Sequence, residues 1–350
     1  YEESFNKISD LKEIIHNRMK DQKFDITDFE LNETIFYYLN SRFLSFYGKP
    51  GTGKTSYARA LSNAITGGSS DENPNLNYTL FQGVENGWSS SEDLFGRSNL
   101  FQNKFDFTNS FFKKLHFGSQ NKKDDFDMWL NIIFDEATLS PIEQYLAPFF
   151  GRENEFNQRD DFTLDISSFK FLIPKSLRFL FTMNFDFSTE NISDRFIDRS
   201  PIILCDNSGE INDALILKNY LEKPLSYEKM MQVFDNQIEM FDQTKYNYLE
   251  DLYEEINPED DNQVIQKLSI RKENLRKQYF KYMSSQDYDD NIIIDSFFVS
   301  SILPSIRGNG VDFQKDLETY LPKVQALPKT SKILNNIISK GENIQSFSFF

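Results

Sequence analysis

The chain has 350 residues, of which 39% are hydrophobic, and it carries a formal net charge of −16. Its length allows two domains with sizeable cores, and its hydrophobic content argues against a disordered chain. No apolar run approaches the roughly 20 residues that a membrane-spanning helix needs, and the N-terminus has neither a basic start nor an apolar signal core. We therefore expect a cytoplasmic protein with no membrane partner.

The cysteine and histidine content and the net charge exclude some kinds of site and surface. Cys205 is the single cysteine, which excludes an internal disulfide, and with only His16 and His116 the chain has too few ligands for a Cys/His zinc site. We interpret Cys205 as a small buried hydrophobe. The acidity argues against a surface that coats nucleic acid, because such surfaces neutralise phosphates with Lys and Arg. Any DNA contact is expected to be local, or to belong to another domain or subunit.

Residues 1–40 are predicted to be helical and to pack on the outside of the domain that follows. Their apolar residues recur at helical spacing: Leu11, Ile14, Ile15, Ile35, Phe36 and Leu39.

The segment FLSFYGKPGTGKTS, from Phe43 to Ser56, predicts a phosphate-binding loop. An apolar strand leads into the pattern G-x-x-x-x-G-K-[ST], and an amphipathic helix follows it. The glycines give the backbone freedom to wrap around phosphate, and the first N–H groups of the helix point at the same anion. We expect Lys54 to reach the β and γ phosphates and Thr55 to hold Mg²⁺ through its hydroxyl. The candidate nucleotide-binding residues are Gly48, Pro50, Gly51, Thr52, Gly53, Lys54, Thr55 and Ser56.

Some 80 residues later, MWLNIIFDEATLSP predicts a buried strand from Trp129 to Phe134 that ends in Asp135 and Glu136. Asp135 is a candidate metal residue, and Glu136 a candidate base that orients or activates the attacking water. An Asp-Glu pair after an apolar run is in isolation more often a solvated strand end. Together with the phosphate loop it indicates the second half of a nucleoside triphosphate site.

A helix is predicted directly after this pair. Ser140 is the expected N-cap, Pro141 the first helical residue and Glu143 the partner of Ser140 in a capping box. The apolar residues that follow share one face of that helix and are expected to be core: Ile142, Tyr145, Leu146 and Phe149.

A third strand is predicted from Leu177 to Met183, followed by Asn184. In a parallel sheet its end meets the ends of the other two strands, so Asn184 is a candidate to hold the attacking water, or else an ordinary turn residue. Arg195 and Arg199 then stand four residues apart, on one face if the segment is helical. They are candidates to neutralise the γ phosphate across a subunit boundary. The alternative is pairing within the chain, with Glu190, Asp194 or Asp198.

The C-terminal half contains an acidic stretch followed by a predicted helix, and an arginine in a glycine-rich segment. An acidic stretch, residues 248–262, is predicted to be a solvated helix and loop, and Gln263 to Met283 an amphipathic helix whose basic residues answer it. Arg307, in SIRGNG, is either a lid arginine that reaches a nucleotide or part of a helix-ending turn.

In this order, six segments resemble those of the McrB-type AAA+ NTPases, the motor subunits of modification-dependent restriction systems. The segments are GKPGTGKT, VENGWSSSEDLFGRSN, DEATLSPIEQYLAPFF, IPKSLRFLFTMNFD, SDRFIDRS and, near the C-terminus, SILPSIRGNG followed by LPKTSKILNNII.

The resemblance implies an α/β fold, with a parallel-sheet P-loop core flanked by helices and a C-terminal helical lid. It places the nucleotide-binding domain at residues 41–205, after the helical lead-in of 1–40, and the lid at 206–350. It also implies a ring, expected to be a hexamer, with ATP or GTP and Mg²⁺ at the subunit interfaces. The implied partners are a McrC-like nuclease subunit and DNA, since we find no nuclease centre in this chain.

The chain departs from the family at the sensor. The family often has Met-Asn-x-x-Asp, whereas here Met183-Asn184-Phe185-Asp186 brings the acid one residue closer, which makes Asp186 the candidate substitute. Trp88 is either a substrate-loop residue or a core anchor.

Two other functions stay open at this stage. One is a chaperone-like AAA+ protein remodeller, which the net acidity favours slightly over DNA translocation. The other is a nonhydrolysing nucleotide switch in which Glu136 does not work.

Overall fold

The computed structural model describes residues 5–68, 78–99, 101–102, 104–121, 127–150, 160–184, 192–205, 222–257, 267–342 and 346–350. The chain divides into two compact units, Tyr1–Phe196 with Cys205–Gln232, and Ile197–Leu204 with Val233–Phe350. The predicted domain limits at residues 40 and 205 stay predictions.

In chain order up to residue 150 the elements are α1 (Ile8–Asp21), α2 (Asp28–Asn40), β1 (Phe43–Gly48), α3 (Lys54–Thr66), β2 (Thr79–Gly83), α4 (Ser91–Phe95), β3 (Gly96–Asn99), β4 (Lys104–Phe107), α5 (Ser110–Asn121), β5 (Leu130–Asp135), α6 (Ile142–Tyr145) and α7 (Ala147–Phe150).

The later elements are β6 (Phe162–Ile166), β7 (Phe169–Ile173), β8 (Leu177–Asn184), α8 (Asp194–Ile197), β9 (Ile202–Leu204), α9 (Tyr227–Glu239), α10 (Gln243–Ile256), α11 (Ile270–Ser284), α12 (Asp290–Phe297), β10 (Arg307–Asn309), α13 (Gly310–Tyr320), α14 (Pro328–Gly341) and β11 (Ser346–Ser348). No helix in these described ranges is both long and apolar enough to cross a membrane.

Four strands in the order β2-β5-β8-β1 form a sheet at the centre of the first unit. The pairs β2–β5, β5–β8 and β8–β1 are parallel. Strands β1, β5 and β8 are continuous buried runs, as is typical of parallel strands covered by helices on both faces. The predicted α/β architecture with a parallel sheet is confirmed. The second predicted strand begins at Leu130, one residue later than expected, and includes Asp135.

Aromatic rings fill one side of this sheet. The Phe43 ring lies 5.2 Å from that of Phe179 and 5.3 Å from that of Phe181, which alternate along β8 and therefore share a face. Phe134, on the neighbouring strand, stacks on Phe181 at 5.2 Å. This layer of rings fixes the relative positions of β1, β5 and β8.

The N-terminal helices pack against α3. Thr27 and Glu30 form a capping box at the start of α2, which explains why that helix begins at Asp28. From α1, the Arg18 guanidinium donates to the carbonyl of Ala64 at 2.8 Å. The Thr34 and Tyr57 hydroxyls lie 2.7 Å apart and link α2 to α3.

Two antiparallel hairpins, β3–β4 and β6–β7, lie outside the central sheet. Phe95, Phe105 and Phe171 bring them together through ring contacts of 5.1 and 5.4 Å.

The second unit is mainly helical in its described part, with one short antiparallel pair, β10–β11. Helix α11 begins at Ile270, where the Ser269 hydroxyl accepts from the Lys272 N–H, so the predicted start at Gln263 is wrong. Residues 258–266, which include the end of the acidic stretch, lie outside the described residues. Arg276 bonds Glu250 at 2.6 Å, so one basic residue of α11 does pair with that stretch. Arg307 opens strand β10, so the predicted helix-ending turn is wrong.

Candidate functional site

The predicted phosphate loop connects β1 to α3. Gly51 and Gly53 have φ angles of +79° and +78°, the left-handed region that favours glycine, and their role around a phosphate stays a prediction. Gly48 has a different role from the predicted one. Its φ is not positive, but a Cβ atom there would lie 2.3 Å from the Cys205 carbonyl oxygen and 2.8 Å from Thr52 Oγ1. Gly48 is therefore required by close packing.

The carbonyl of Lys49 organises the loop. It accepts from the Thr52 N–H at 3.3 Å, the Thr52 hydroxyl at 2.9 Å and Lys54 Nζ at 2.7 Å. The Lys54 side chain is only 6% exposed although Pro50 and Gly51 above it are exposed, so its ammonium lies inside the loop. A cation enclosed by backbone at a helix N-terminus is a suitable receptor for phosphate.

The two halves of the predicted site meet at Asp135. The Thr55 hydroxyl, in the first turn of α3, donates to Asp135 Oδ1 at 2.7 Å. The Thr182 hydroxyl, from β8, donates to the same oxygen at 2.7 Å. Ser56, beside Thr55, is buried. The structure thus brings together the predicted metal residues, Thr55 and Asp135, and adds a third side chain that the sequence prediction missed.

Glu136 leaves the strand in a strained conformation. Its φ and ψ are +53° and +45°, left-handed values that are uncommon for a residue other than glycine. The Glu136 N–H donates to Thr182 Oγ1 at 3.1 Å, and its side chain is exposed. Strain of this kind is frequent where a side chain is held for function.

Asn184 ends β8 directly opposite Gly48 in the parallel register. It is half-buried and lies at the sheet edge that carries the phosphate loop and Asp135. Asp186 and Glu190 lie outside the described residues.

The predicted arginine pair does not form one helical face. Helix α8 ends at Ile197, so Arg199 lies beyond it. Arg195 is exposed, whereas Arg199 is 7% exposed. Asp198, one of the expected partners, instead forms an ion pair with Arg271 and bonds Ser269.

Ser140 has a tertiary contact in place of the predicted helix cap. Its hydroxyl accepts from the N–H groups of Gly87 and Trp88 at 3.1 Å each and donates to the Glu85 carbonyl at 2.8 Å. The capping box with Glu143 is therefore wrong, because Pro141 is the N-cap and no side chain caps the helix.

The helix predicted after Ser140 is not continuous. It is broken at Leu146 into α6 and α7. The predicted core residues of this segment are buried: Ile142, Tyr145, Leu146 and Phe149.

Trp88 belongs to the loop that Ser140 holds. Its ring packs edge-on against Tyr145 at 5.4 Å and is partly exposed. The Trp88 ring is thus anchored on Tyr145 and still reaches solvent, and a substrate-loop role for it stays a prediction.

Cys205 is buried against the loop, as predicted. Burial raises the pKa of its thiol to about 12, and the Lys54 charge opposes this shift only in part. The Cys205 N–H donates to the Tyr47 carbonyl at 2.8 Å, which holds its own carbonyl over Gly48.

The residues present suit a nucleotide with Mg²⁺. Hydroxyl and carboxylate oxygens are the hard ligands that Mg²⁺ takes, and this ion is usually bound by one or two protein groups together with phosphates and water. The described residues contain no cluster of three or more His, Cys, Asp or Glu side chains that could hold a metal ion. The exposed Gly51, with nothing within 4 Å of where its Cβ would be, leaves open space at the mouth of the loop.

No protein-family model matches the chain, and no curated protein sequence matches it. Among solved structures it is similar to a "putative ATPase" from Cytophaga hutchinsonii ATCC 33406. The likeness covers 90% of this chain and 96% of that one, with a TM-score of 0.50 and 14% sequence identity. Similarity at this level concerns the fold. It agrees with the sheet order in showing an α/β fold, with a parallel sheet flanked by helices and a helical C-terminal region.

Proposed function

We propose that the chain is a nucleoside triphosphatase that uses ATP or GTP with Mg²⁺, and that it acts as the motor subunit of a ring. The observation that carries this proposal is the 2.7 Å hydrogen bond from Thr55 to Asp135. It joins the residue that follows the phosphate-binding lysine to the carboxylate at the end of β5. A glycine-rich turn without a ligand has no need of that contact.

Each side chain has a distinct task in this proposal. Lys54 and the first N–H groups of α3 bind the phosphates, and Thr55 and Asp135 hold the metal. Bound Mg²⁺ supplies charge neutralisation at the phosphate oxygens. Glu136 accepts a proton from the attacking water, and Asn184 orients that water.

Arg195 is the better candidate for an arginine that acts on a neighbouring subunit. It is exposed on the surface of α8, whereas Arg199 is buried and would have to leave its surroundings to reach another molecule. An arginine supplied in this way stabilises the charge that develops on the transferred phosphate.

The proposed setting is DNA restriction or antiviral defence, in which hydrolysis in a hexameric ring is coupled to a McrC-like nuclease subunit and to DNA. This part rests on the resemblance of the six sequence segments to the McrB type. Protein remodelling is the second candidate, and the net charge of −16 favours it over direct tracking along DNA.

Steady-state phosphate release tests the core of the proposal. We expect release by the wild type with ATP, GTP or both, loss of nucleotide binding and release in Lys54→Ala, and a drop of about 10²–10⁴-fold in release with binding retained in Glu136→Gln. Lys20→Ala removes an exposed lysine of α1 and is the matched control for lost charge. Absence of release above the Lys54→Ala level, with both nucleotides and over a concentration series that spans ring assembly, would contradict the proposal.

Mixing two inactive variants tests the ring. The Glu136→Gln variant retains Arg195, and the Arg195→Ala variant retains Glu136, so each supplies the residue that the other lacks. If Arg195 acts on the neighbouring subunit, mixed rings contain complete sites and regain turnover. If mixtures show only the average of the two inactive preparations, Arg195 does not act in trans.

The partner is tested with a nuclease encoded beside this chain. Nucleotide-dependent cleavage of modified or phage DNA that requires both proteins supports the defence role. Unfolding or disassembly of a protein substrate without any effect on DNA cleavage would favour remodelling.

A further inference from the structure

Thr182 is a buried polar side chain in strand β8, most of whose residues are apolar. Strand β8 reads LRFLFTMN, and Thr182 is 2% exposed. A valine of almost the same shape would fill the space without the cost of burying a hydroxyl. Packing alone therefore does not account for the Thr182 hydroxyl, which must be explained by its hydrogen bonds.

The Thr182 hydroxyl is bonded on both of its sides. It donates to Asp135 Oδ1 at 2.7 Å and accepts from the Glu136 N–H at 3.1 Å. One atom thus fixes the orientation of the candidate metal carboxylate and the backbone of the candidate catalytic base. The left-handed conformation of Glu136 is unfavourable for a residue other than glycine, and its N–H bond to Thr182 helps to hold it.

The order of the strands explains why this residue is on β8. Strands β5 and β1 each pair with β8 and not with each other, so the phosphate loop and Asp135 start from strands about 10 Å apart. Of the two neighbours of β5 in the sheet, β2 lies on the side away from β1, and β8 lies between β5 and the strand that leads into the phosphate loop. Thr55 also donates to Asp135 Oδ1, but it is itself a candidate metal ligand, whereas Thr182 lies behind the carboxylate in the core.

We propose that Thr182 is a positioning residue of the nucleoside triphosphatase site, which aligns Asp135 for the metal and Glu136 for the attacking water. This inference rests on the proposed function. Because Thr182 acts through other residues, its removal lowers the rate of turnover and the effect of Mg²⁺ more than it lowers nucleotide affinity.

The test compares Thr182→Val, which lacks both hydrogen bonds, with Thr182→Ser, which keeps both. Loss of a side chain that orients a metal ligand typically costs about 10–100-fold in activity or metal affinity. We expect kcat to fall by that factor in Thr182→Val with KM for the nucleotide within about threefold, and Thr182→Ser to stay within about threefold of wild type in both.

A matched control removes another buried threonine hydroxyl, at a position away from Asp135 and Glu136. Thr66 is buried in α3, and its hydroxyl donates to the Ser62 carbonyl at 2.8 Å. Thr66→Val should keep kcat at the wild-type level even if it lowers the melting temperature. If Thr182→Val does not fold, Thr182→Ala takes its place in the series.

Three results would overturn the inference. They are full turnover in Thr182→Val, an equal loss in Thr182→Ser, which would assign the effect to the methyl group, and an equal loss in Thr66→Val. If the wild type releases no phosphate, the proposed function fails. The positioning role of Thr182 is then tested by the binding of a fluorescent ATP or GTP analogue with and without Mg²⁺. A reduced Mg²⁺ enhancement in Thr182→Val alone then keeps the inference, and an unchanged enhancement ends it.

Discussion

Two glycines of the phosphate loop should respond differently to alanine, because the structure requires them for different reasons. Gly51 has a φ of +79° but open space around the missing Cβ. Gly48 has no positive φ, but its Cβ would meet the Cys205 carbonyl oxygen at 2.3 Å. The experiment therefore makes two single substitutions, Gly51→Ala and Gly48→Ala, and compares each variant with the wild type.

The expected magnitudes follow from these two situations. Alanine in the left-handed region costs about 1–2 kcal/mol, of which about 0.4–1 kcal/mol is returned by the lower entropy of the unfolded chain. At Gly48 the overlap is about 1 Å relative to an ordinary carbon–oxygen contact. The Cys205 backbone must move to relieve it, which weakens its 2.8 Å bond to Tyr47. Overpacking and the weakened bond together cost about 2–4 kcal/mol.

Thermal unfolding without nucleotide measures this difference. A loss of 1 kcal/mol lowers the melting temperature by about 2–4 °C in a unit of this size, so Gly48→Ala should melt on the order of 10 °C below the wild type and Gly51→Ala only a few degrees below it. Nucleotide affinity should fall in both. If Gly48→Ala is as stable as Gly51→Ala, the close packing of β1 on the Cys205 carbonyl does not have the importance assigned to it.

Two further predictions concern groups outside the phosphate chemistry. Burial raises the pKa of the Cys205 thiol from 9.0 to about 12, so its contribution to stability is complete below pH 9 and is lost as the pH rises toward 12. Urea unfolding at pH 8 and pH 10.5 should therefore show a smaller fall in the free energy of unfolding for Cys205→Ala than for the wild type. Equal falls in the two proteins would contradict this prediction. Asp295 is buried and accepts from the Lys329 and Thr330 N–H groups at 2.8 Å each, at the start of α14. Asp295→Ala should destabilise the second unit by about 1–3 kcal/mol in unfolding followed by circular dichroism, and an unchanged transition would refute the capping role.

Three strands of the sheet, β1, β5 and β8, could be predicted because they are runs of mostly apolar, buried residues. Continuous buried runs such as FLSFYG and LRFLFTMN are readable without any knowledge of their neighbours. The polar residue at the end of each run then predicts which sheet edge holds the site. Asp135 and Asn184 were found in this way, and the register places Asn184 opposite Gly48.

Local patterns failed where a distant partner decides the outcome. The sequence around Ser140 has every sign of a capping box, but its hydroxyl is used by the Gly87 and Trp88 N–H groups, more than 50 residues away. The spacing of Arg195 and Arg199 suggested one helical face, but α8 ends at Ile197. Propensity and spacing describe what a segment can do alone, and tertiary contacts choose among the possibilities.

Thr182 shows a third kind of limit, in which the signal is present but has no meaning without the strand order. A threonine in a buried apolar strand is visible in the sequence, but β-branched residues are common in strands for packing reasons alone. Its importance appears only when β8 is known to lie between β5 and β1.

That placement has a consequence for how the site responds to nucleotide. Asn184, at the end of β8, faces the end of β1, and Thr182, two residues earlier on the same strand, bonds the end of β5. A paired strand in a packed sheet moves as a unit, because its ladder bonds and its buried side chains resist local distortion. A shift of β8 caused by contacts at Asn184 would therefore reach Asp135 and Glu136 through the ladder with β5 and through the Thr182 hydroxyl. The strand that pairs with β1 is thus also the strand that contacts the proposed base, so in the proposed function nucleotide binding and hydrolysis depend on the same strand.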